Sequence, residues 1–276
     1  FINHIPILFH RIYKQRTMEN RRSFLIKAGI GAVALPYLSC CSSFNRSITH
    51  VVSISFDDGF EKSFLKTAEI YEKHELNACF NVIASGHEND FKPPDDYIQP
   101  SIIGDFDLWN ELKRRGHEIM PHGYRHENLA RIDLSDAQAL IMKSLDVFSD
   151  RLIGFDPLKA IFNFPFNSSS AELEDWLKDK VMAFRTAGSV VNKLPHKRQK
   201  KLTCISAGPD NIDMYFEEQI QKFLSEPKGW FIFNAHGLDG EGWGPMSSIY
   251  LDELLDRLLR MEHVAIMPVG KALLSL

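Results

Sequence analysis

The feature that most constrains this chain is the alternation, from His50 onward, of short apolar runs with segments of helical periodicity. This alternation is typical of an α/β fold with a largely parallel sheet. Seven or eight strands in roughly 220 residues predict a closed or nearly closed barrel, and no second domain is evident. The predicted strands are 50–56, 77–83, 117–120, 159–164, 181–186, 202–206, 230–235 and 263–267, and the predicted helices are 61–74, 107–115, 135–152, 171–178, 215–224 and 248–261.

The amino-terminal segment has the layout of an export signal. Met18 is interpreted as the true start, so we expect residues 1–17 to lie upstream of it. Residues 18–41 then combine a basic stretch, an apolar run and a group of small residues, as a secretory signal peptide does. An amphipathic or buried first helix is the alternative.

Two details refine this signal. The pair Arg21-Arg22 resembles a twin-arginine export signal, and Cys40 or Cys41 resembles a weak lipoprotein cleavage site. We therefore expect a linker at 42–49 and the folded domain at 50–276. The protein is expected to be exported from a bacterial cytoplasm, as a periplasmic, cell-envelope or secreted protein that touches the membrane only if a lipid anchor is attached.

Charge and cysteine content limit the class of partner. The chain carries 32 Lys and Arg against 36 Asp and Glu, and 26 of those basic and 35 of those acidic residues follow residue 41. An acidic body argues against a nucleic-acid binder, because phosphate affinity depends on clustered Lys and Arg. Cys79 and Cys204 are too few for a disulfide scaffold, and we expect them to be buried free thiols.

Two polar clusters follow predicted strands, where barrels of this kind place catalytic groups. Asp57 and Asp58 follow the first strand, so one carboxylate can ligate a metal while the other takes a proton. An Asp-Asp-Gly turn that caps a helix is the alternative. His122 and His126 follow the third strand, and imidazoles four residues apart on a helical turn share a face. With Asp58 they form a set that leaves coordination positions open, as a catalytic divalent site requires.

These motifs resemble those of polysaccharide deacetylases of the NodB-homology type, carbohydrate esterase family 4. The resemblance rests on Ser55 to Gly59 and on Gly116 to His126, and it covers about residues 51–267. It implies a single-domain α/β fold built as a distorted (β/α)7-type barrel. It also implies that Asp57 is the general base and that a divalent metal is held by Asp58, His122 and His126. Zinc is expected from this ligand set, and cobalt, nickel or manganese fits the same ligands.

A third cluster departs from the family pattern at one position. Asn163-Phe164-Pro165-Phe166 resembles the family's Arg-x-Pro-Phe motif, and Asn163 stands where the family has arginine. That arginine holds the base carboxylate by a charge-assisted bond, so Asn163→Arg is expected to raise turnover if the missing arginine limits the base. The resemblance implies the backbone N–H of Phe166 as an oxyanion donor. Without the resemblance, the segment is a strand end stopped by proline.

The resemblance also implies residues that contact the substrate and a residue that acts as the general acid. Met214 replaces the tryptophan of an Asp-x-x-Asp-Trp motif and is expected to form an apolar wall beside the acyl group. His236 stands where the family places its general acid, and Asp213 is expected to orient it. Trp243, in a glycine-rich loop, suits stacking on a sugar ring. A structural histidine and a packed surface tryptophan are the alternatives.

Together these residues predict a metal-dependent hydrolase. The expected reaction is the removal of N- or O-linked acetyl groups from a cell-wall or extracellular polysaccharide by a water that a divalent ion activates. Two alternatives remain open at this point. One is a glycan-binding protein of the same fold without turnover, and the other is a C–N hydrolase that acts on a small non-carbohydrate amide.

Overall fold

The computed structural model describes residues 48–94 and 97–275. The expectations for residues 1–17 and 18–41, and for most of the linker 42–49, lie outside the described residues. Within the described residues, no helix is long and apolar enough to cross a membrane.

The described ranges contain nine strands and seven α-helices, which alternate through most of the chain. The strands are β1 (His50–Phe56), β2 (Cys79–Val82), β3 (Glu118–Pro121), β4 (Ile161–Asn163), β5 (Ala183–Ala187), β6 (Val191–Asn192), β7 (Lys201–Cys204), β8 (Gly229–Ala235) and β9 (Val264–Ile266). The helices are α1 (Glu61–Lys73), α2 (Phe106–Arg114), α3 (Leu134–Arg151), α4 (Ala171–Leu177), α5 (Asp213–Leu224), α6 (Ser248–Leu259) and α7 (Val269–Ser275). All eight predicted strands and six predicted helices are present, whereas β6 and α7 were not predicted.

The strands form two sheets that together make a distorted barrel. The larger sheet runs β3-β2-β1-β8-β6, with β9 also paired to β1, and the smaller runs β4-β5-β7. All pairs are parallel except β6 with β8. A parallel bridge between Ile205 and Phe233 joins the end of β7 to β8. The α/β barrel class predicted from the sequence is confirmed.

The opening between β3 and β4 is spanned by side chains instead of a strand ladder. The Nδ2 of Asn163 donates to the carbonyl of Pro121 at 3.4 Å. In the other direction, the Nδ1 of His122 donates to the carbonyl of Asn163 at 2.9 Å. Residues at the end of β4 are therefore fixed directly against the end of β3.

Alternate residues of each strand pack on opposite sides of the barrel wall, as the two-residue period of a strand requires. The outward side chains pack under the helices in one large cluster that includes Val52, Ile54, Phe231 and Phe233. The inward ones, with side chains of α7, fill the barrel lumen; they include Val51, Ile161, Ala183, Trp230 and Ile232. Cys79 and Cys204 are buried in this same lumen cluster as free thiols, which confirms that expectation.

Candidate active site

The lumen changes from apolar to polar toward the carboxyl ends of the strands. Asp57 and Asp58 directly follow β1, His122 directly follows β3, and His236 directly follows β8. Parallel strands end at one edge of a sheet, so these elements deliver their polar residues to one place. Asp57, Asp58, His122 and His126 are all buried there.

Asp58, His122 and His126 form a set of metal-ligand type. Their ligand atoms lie within 4.8 Å of one another. The Nε2 atoms of His122 and His126 are 3.5 Å and 3.4 Å from Oδ1 of Asp58. Because the Nδ1–H of His122 is engaged by a backbone carbonyl, its Nε2 is left with the lone pair that a metal needs.

The state of Asp58 fits this role. Its Oδ1 is buried and has no hydrogen-bond partner among the described residues. Burial raises the pKa of Asp58, but His126 and His122 lower it overall below the ordinary value. A buried, ionised carboxylate oxygen beside two imidazole nitrogens fits a divalent cation, whose ligands must be deprotonated.

The backbone around this set adopts uncommon left-handed conformations. The φ angles are 79° at Asp58, 57° at His126, 56° at Phe166 and 49° at Asn167. Each costs a non-glycine residue about 1–2 kcal/mol. Such outliers persist where the surrounding structure over-determines them, and they concentrate at functional sites.

Asp57 is held by an arginine that the motif did not supply. The Nη1 of Arg185 donates to Oδ1 of Asp57 at 3.1 Å, and its Nη2 donates to Oδ2. The Nδ2 of Asn81 donates to the same Oδ1 at 2.6 Å. Burial raises the pKa of Asp57, but Arg185 and then His122 lower it overall below the ordinary value. The carboxylate is therefore ionised and fixed in orientation, as a general base requires.

Asn163 supports this arrangement at one remove. It pairs directly with Arg185 across β4 and β5, and both side chains enter the lumen. Its Nδ2 donates to Oδ1 of Asn81 at 2.8 Å, and Asn81 in turn donates to Asp57. The guanidinium that holds Asp57 thus comes from β5, the neighbour of the strand that carries the motif position. Asn163, at the motif position on β4, instead reaches Asp57 through the hydrogen bonds of Asn81.

His236 faces the ligand set from β8. Burial lowers the pKa of His236 below its ordinary value, although Asp58 and Asp57 oppose that effect. Its ring meets the indole of Trp243 edge to face, with centroids 5.3 Å apart. Trp243 in turn packs on Gly208, where a Cβ would lie only 2.6 Å from the indole.

These residues enclose a cavity of about 320 Å³. Phe166 lies at its rim, 46% exposed, with its ring centroid 4.6 Å from that of His126. Two depressions adjoin the cavity, one of about 540 Å³ that shares Tyr97 and one of about 380 Å³ that shares Phe166 and Asn167. The full lining of the cavity is Asp58, Tyr97, Ile98, His122, His126, Phe166, Asn167, Ser206, Asn234, His236 and Trp243.

Comparison with known families decides what kind of chain carries this site. A family model described as polysaccharide deacetylase matches residues 45–204, which is more than half of the chain. The chain belongs to the polysaccharide deacetylase family. Comparison with curated proteins found no match.

Solved structures of family members share the fold of this polysaccharide deacetylase-family chain. The Xyl-CE4 domain of a multidomain xylanase from the hindgut metagenome of Trinervitermes trinervoides is 13% identical, with a TM-score of 0.52 over 82% of this chain and 90% of that one. Peptidoglycan deacetylase PdaC from Bacillus subtilis is 14% identical, with a TM-score of 0.51 over 81% and 90%. A CE4 family pseudoenzyme from Bacillus anthracis is 13% identical, with a TM-score of 0.52 over 81% and 65%.

Most of the predicted site residues of this family member come together. Asp57 adjoins the cavity through its contact with His122: Oδ2 of Asp57 is 3.4 Å from Nε2 of His122. The cavity itself is lined by Asp58, His122, His126, Phe166, His236 and Trp243.

Two predicted residues lie elsewhere. The side chain of Met214 is 87% exposed and is not part of the cavity wall, so it forms no apolar wall there. Oδ1 of Asp213 accepts from the backbone N–H of Ser247 at 2.9 Å, and Nδ1 of His236 has no partner among the described residues. Helix α5 begins at Asp213, two residues earlier than predicted, so both residues belong to its first turn.

Arg185 and Asn81 are the functional residues that the sequence motifs did not reveal. A signal for Arg185 was available, because it is a single charged residue within a strand that is otherwise apolar or small. An arginine in such a strand is rarely fully buried unless it is paired. No comparable signal marked Asn81, whose role follows only from its place on β2 beside β1.

Proposed function

We propose that this protein is a metal-dependent hydrolase that removes N- or O-linked acetyl groups from a cell-wall or extracellular polysaccharide. The observation that carries the proposal is the placement of an arginine-held, buried carboxylate, Asp57, beside a two-histidine, one-acid set. Membership of the polysaccharide deacetylase family supports the same reaction. A peptidoglycan deacetylase among the similar structures favours a cell-wall glycan as the substrate.

The ligand set is proposed to hold zinc. A divalent ion on Asp58, His122 and His126 would lower the pKa of a water and polarise the acyl carbonyl. The remaining steps belong to the protein's own side chains.

Asp57 takes the proton of the attacking water. Arg185 and Asn81 occupy its two carboxylate oxygens from behind, which leaves the carboxylate oriented toward the ligand set. The backbone N–H of Phe166 is the proposed donor to the oxyanion. His236 then protonates the departing amine or alcohol, and Trp243 beside it packs against the sugar.

The shape of the surface favours a polymer over a small amide. The two depressions extend the cavity on the side of Tyr97 and on the side of Phe166. A substrate that is a single small amide would use only the central cavity. We therefore propose that sugars on either side of the acetylated one occupy these depressions.

The export of the protein is also a proposal. We infer that residues 18–41 are an export signal, that 42–49 is a linker and that the catalytic domain spans 50–276. Labelling with a radioactive fatty acid in the native host tests the lipoprotein form of this signal. A mature protein without label contradicts a lipid anchor.

The competing function is glycan binding without turnover. Asn163 at the motif's arginine position, together with the pseudoenzyme among the similar structures, is the reason to test it. The fully paired Asp57 argues against it, because an arginine from β5 occupies the place of the missing one.

Acetate release distinguishes the two functions. We expect the zinc-loaded protein to release acetate from at least one of chito-oligosaccharides, acetylated xylan and peptidoglycan fragments. Asp57→Asn should abolish this release, whereas the control Asp175→Asn, at an exposed carboxylate that accepts from Lys178, should not change it. If the protein binds a glycan but releases no acetate from any of the three substrates, the proposal that it is an enzyme is contradicted.

A further inference from the structure

Strand β8 carries a second polar residue into the cavity below His236. Asn234 precedes His236 by two residues, so both lie on the inward face of the strand. Trp230 and Ile232 on the same face belong to the apolar lumen. Asn234 is therefore the first polar residue above that apolar packing, and its side chain is part of the cavity wall.

The carboxamide of Asn234 differs from the other carboxamides nearby. Asn81 and Asn163 are hydrogen-bonded to each other and to Asp57 or the backbone. Asn234 is 3% exposed, yet its Oδ1 has no hydrogen-bond partner among the described residues. A buried polar group left unpaired is destabilising, so this residue gains by facing a ligand with a matching group.

Two further uncharged polar side chains line the cavity together with Asn234, although most of the cavity wall is apolar. Asn167 and Ser206 line the same cavity, and Nδ2 of Asn167 lies 3.4 Å from Oγ of Ser206. Met214, expected as an apolar wall for a methyl group, is turned to solvent. The cavity thus offers hydrogen-bonding groups that the methyl of an acetyl group cannot use.

We propose that Asn234 makes this site selective for an acyl group that carries a hydroxyl, with hydroxyacetyl (glycolyl) preferred over acetyl. The inference rests on the proposed function and specifies its substrate. A carboxamide can accept from a hydroxyl through Oδ1 and donate to it through Nδ2, so the pair forms in either orientation of the amide. Hydrolysis of the glycolyl amide breaks the C–N bond, the water oxygen joins the carbonyl carbon, and the products are glycolate and the protonated amine.

The expected preference follows from the energy of one hydrogen bond. A bond that only the glycolyl group makes is worth about 1.4 kcal/mol, which corresponds to about tenfold in kcat/KM. A site with a buried polar group rejects a substrate that leaves the group unpaired, so the preference is expected in kcat/KM and not merely in binding.

The test compares matched substrates and uses a ratio as its readout. Chito-oligosaccharides and xylan of equal length are each prepared with acetyl or with glycolyl groups, and released acetate and glycolate are quantified by chromatography. We expect the zinc-loaded wild type to favour glycolyl about tenfold. Asn234→Leu, which has similar volume and no hydrogen-bonding group, should bring the ratio to one or below. Asn234→Ser, a smaller polar variant, should give an intermediate ratio and serves if the leucine variant does not fold.

The outcomes separate this inference from the proposed function. Release of acetate with a wild-type ratio near one, or a ratio that is unchanged in Asn234→Leu, overturns the inference while the deacetylase function stands. Release of neither acid by the wild type overturns both. A glycolyl preference that disappears in Asn234→Leu and is reduced to an intermediate value in Asn234→Ser supports the assignment to Asn234.

Discussion

At the scale of single residues, the site depends on how the carboxylate of Asp57 is held. The motif correctly located the acid pair and the two histidines, because their roles depend on short spacings along the chain. It could not locate Arg185, because the position facing Asp57 is shared by two neighbouring strands that are 22 residues apart at the paired positions Asn163 and Arg185. Only the register of β4 against β5 shows that one residue can replace the other.

Loss of Arg185 is expected to be severe. Arg185→Asn leaves the buried carboxylate of Asp57 without its charge partner, and breaking a buried pair costs about 3–5 kcal/mol. We expect that loss in urea unfolding, together with a fall of about 100-fold or more in acetate release. Arg114→Asn is the matched control, since Arg114 also holds a carboxylate through two bonds but at the exposed Glu111, where the pair is worth less than about 1 kcal/mol. Equal effects of the two substitutions would contradict the role of Arg185.

The structure reverses the expectation for Asn163→Arg. The sequence alone favoured a gain in turnover from restoring the motif's arginine. With Arg185 already on Asp57, a second guanidinium would enter the lumen without a free carboxylate and would break the bond from Asn163 to Asn81. We expect lower stability by about 3 kcal/mol and lower turnover, measured by urea unfolding and acetate release. Increased turnover at unchanged stability would show that Arg185 does not fill the motif's role.

A double variant tests whether an arginine at position 163 can replace Arg185 as the partner of Asp57. Asn163→Arg combined with Arg185→Asn should recover part of the turnover that Arg185→Asn alone loses, because one guanidinium again faces Asp57. A double variant no better than Arg185→Asn would show that β4 cannot present an arginine to Asp57 in this chain.

At the scale of elements, the periodicity of the sequence predicted most strands and helices correctly, but it did not predict β6 and α7. The long helices and the apolar strands could be predicted because their hydrophobic patterns extend over several residues. Strand β6 has only two residues, too few to show a period, and α7 was missed although α4, which is also seven residues long, was predicted. The early start of α5 at Asp213 was also missed, and neither Asp213 nor Met214, both in its first turn, lines the cavity.

One ion-pair cluster links α1 to the segment that leads into β3 and gives this region a pH dependence. Arg115 binds Glu72 through two hydrogen bonds of 2.7 Å and 2.8 Å, and His117 adds a third at 3.1 Å. The hydrogen bond from Arg115 is the main cause that lowers the pKa of Glu72 to about 2, from 4.5. A lowered folded-state pKa stabilises the fold above pH 4.5, and this contribution is lost as the pH falls toward 2.

Glu72→Gln is expected to remove this contribution. Glu72 is partly exposed, so solvent screening reduces its share to about 1 kcal/mol at pH 7. We expect the wild type and Glu72→Gln to differ by that amount in urea unfolding at pH 7 and to converge as the pH approaches 2. A difference that stays constant between pH 7 and pH 3 would show that the effect of Glu72 is not electrostatic.

At the scale of the whole molecule, the barrel explains why residues far apart in sequence meet at one cavity. Its lumen is apolar at one end, where α7 packs, and polar where β1, β3 and β8 end. The positions of most strands and the approximate place of the site follow from the strand–helix repeat and the family motifs. The cavity wall does not follow from them, because it depends on where side chains of separate loops and strands point. Among the described residues, Oδ1 of Asn234 has no hydrogen-bond partner, and Met214 lies outside the wall.

The central claim is that the buried Asp58, His122 and His126 hold a divalent ion on which deacetylation depends. The most direct measurement is acetate release by metal-stripped protein as zinc is added, from the polymer that gives the highest rate. We expect release that rises and saturates at about one equivalent of zinc, with no rise in His126→Ala at the same zinc concentrations. Release that is the same with and without metal, or no release at all with one equivalent bound, would contradict the account.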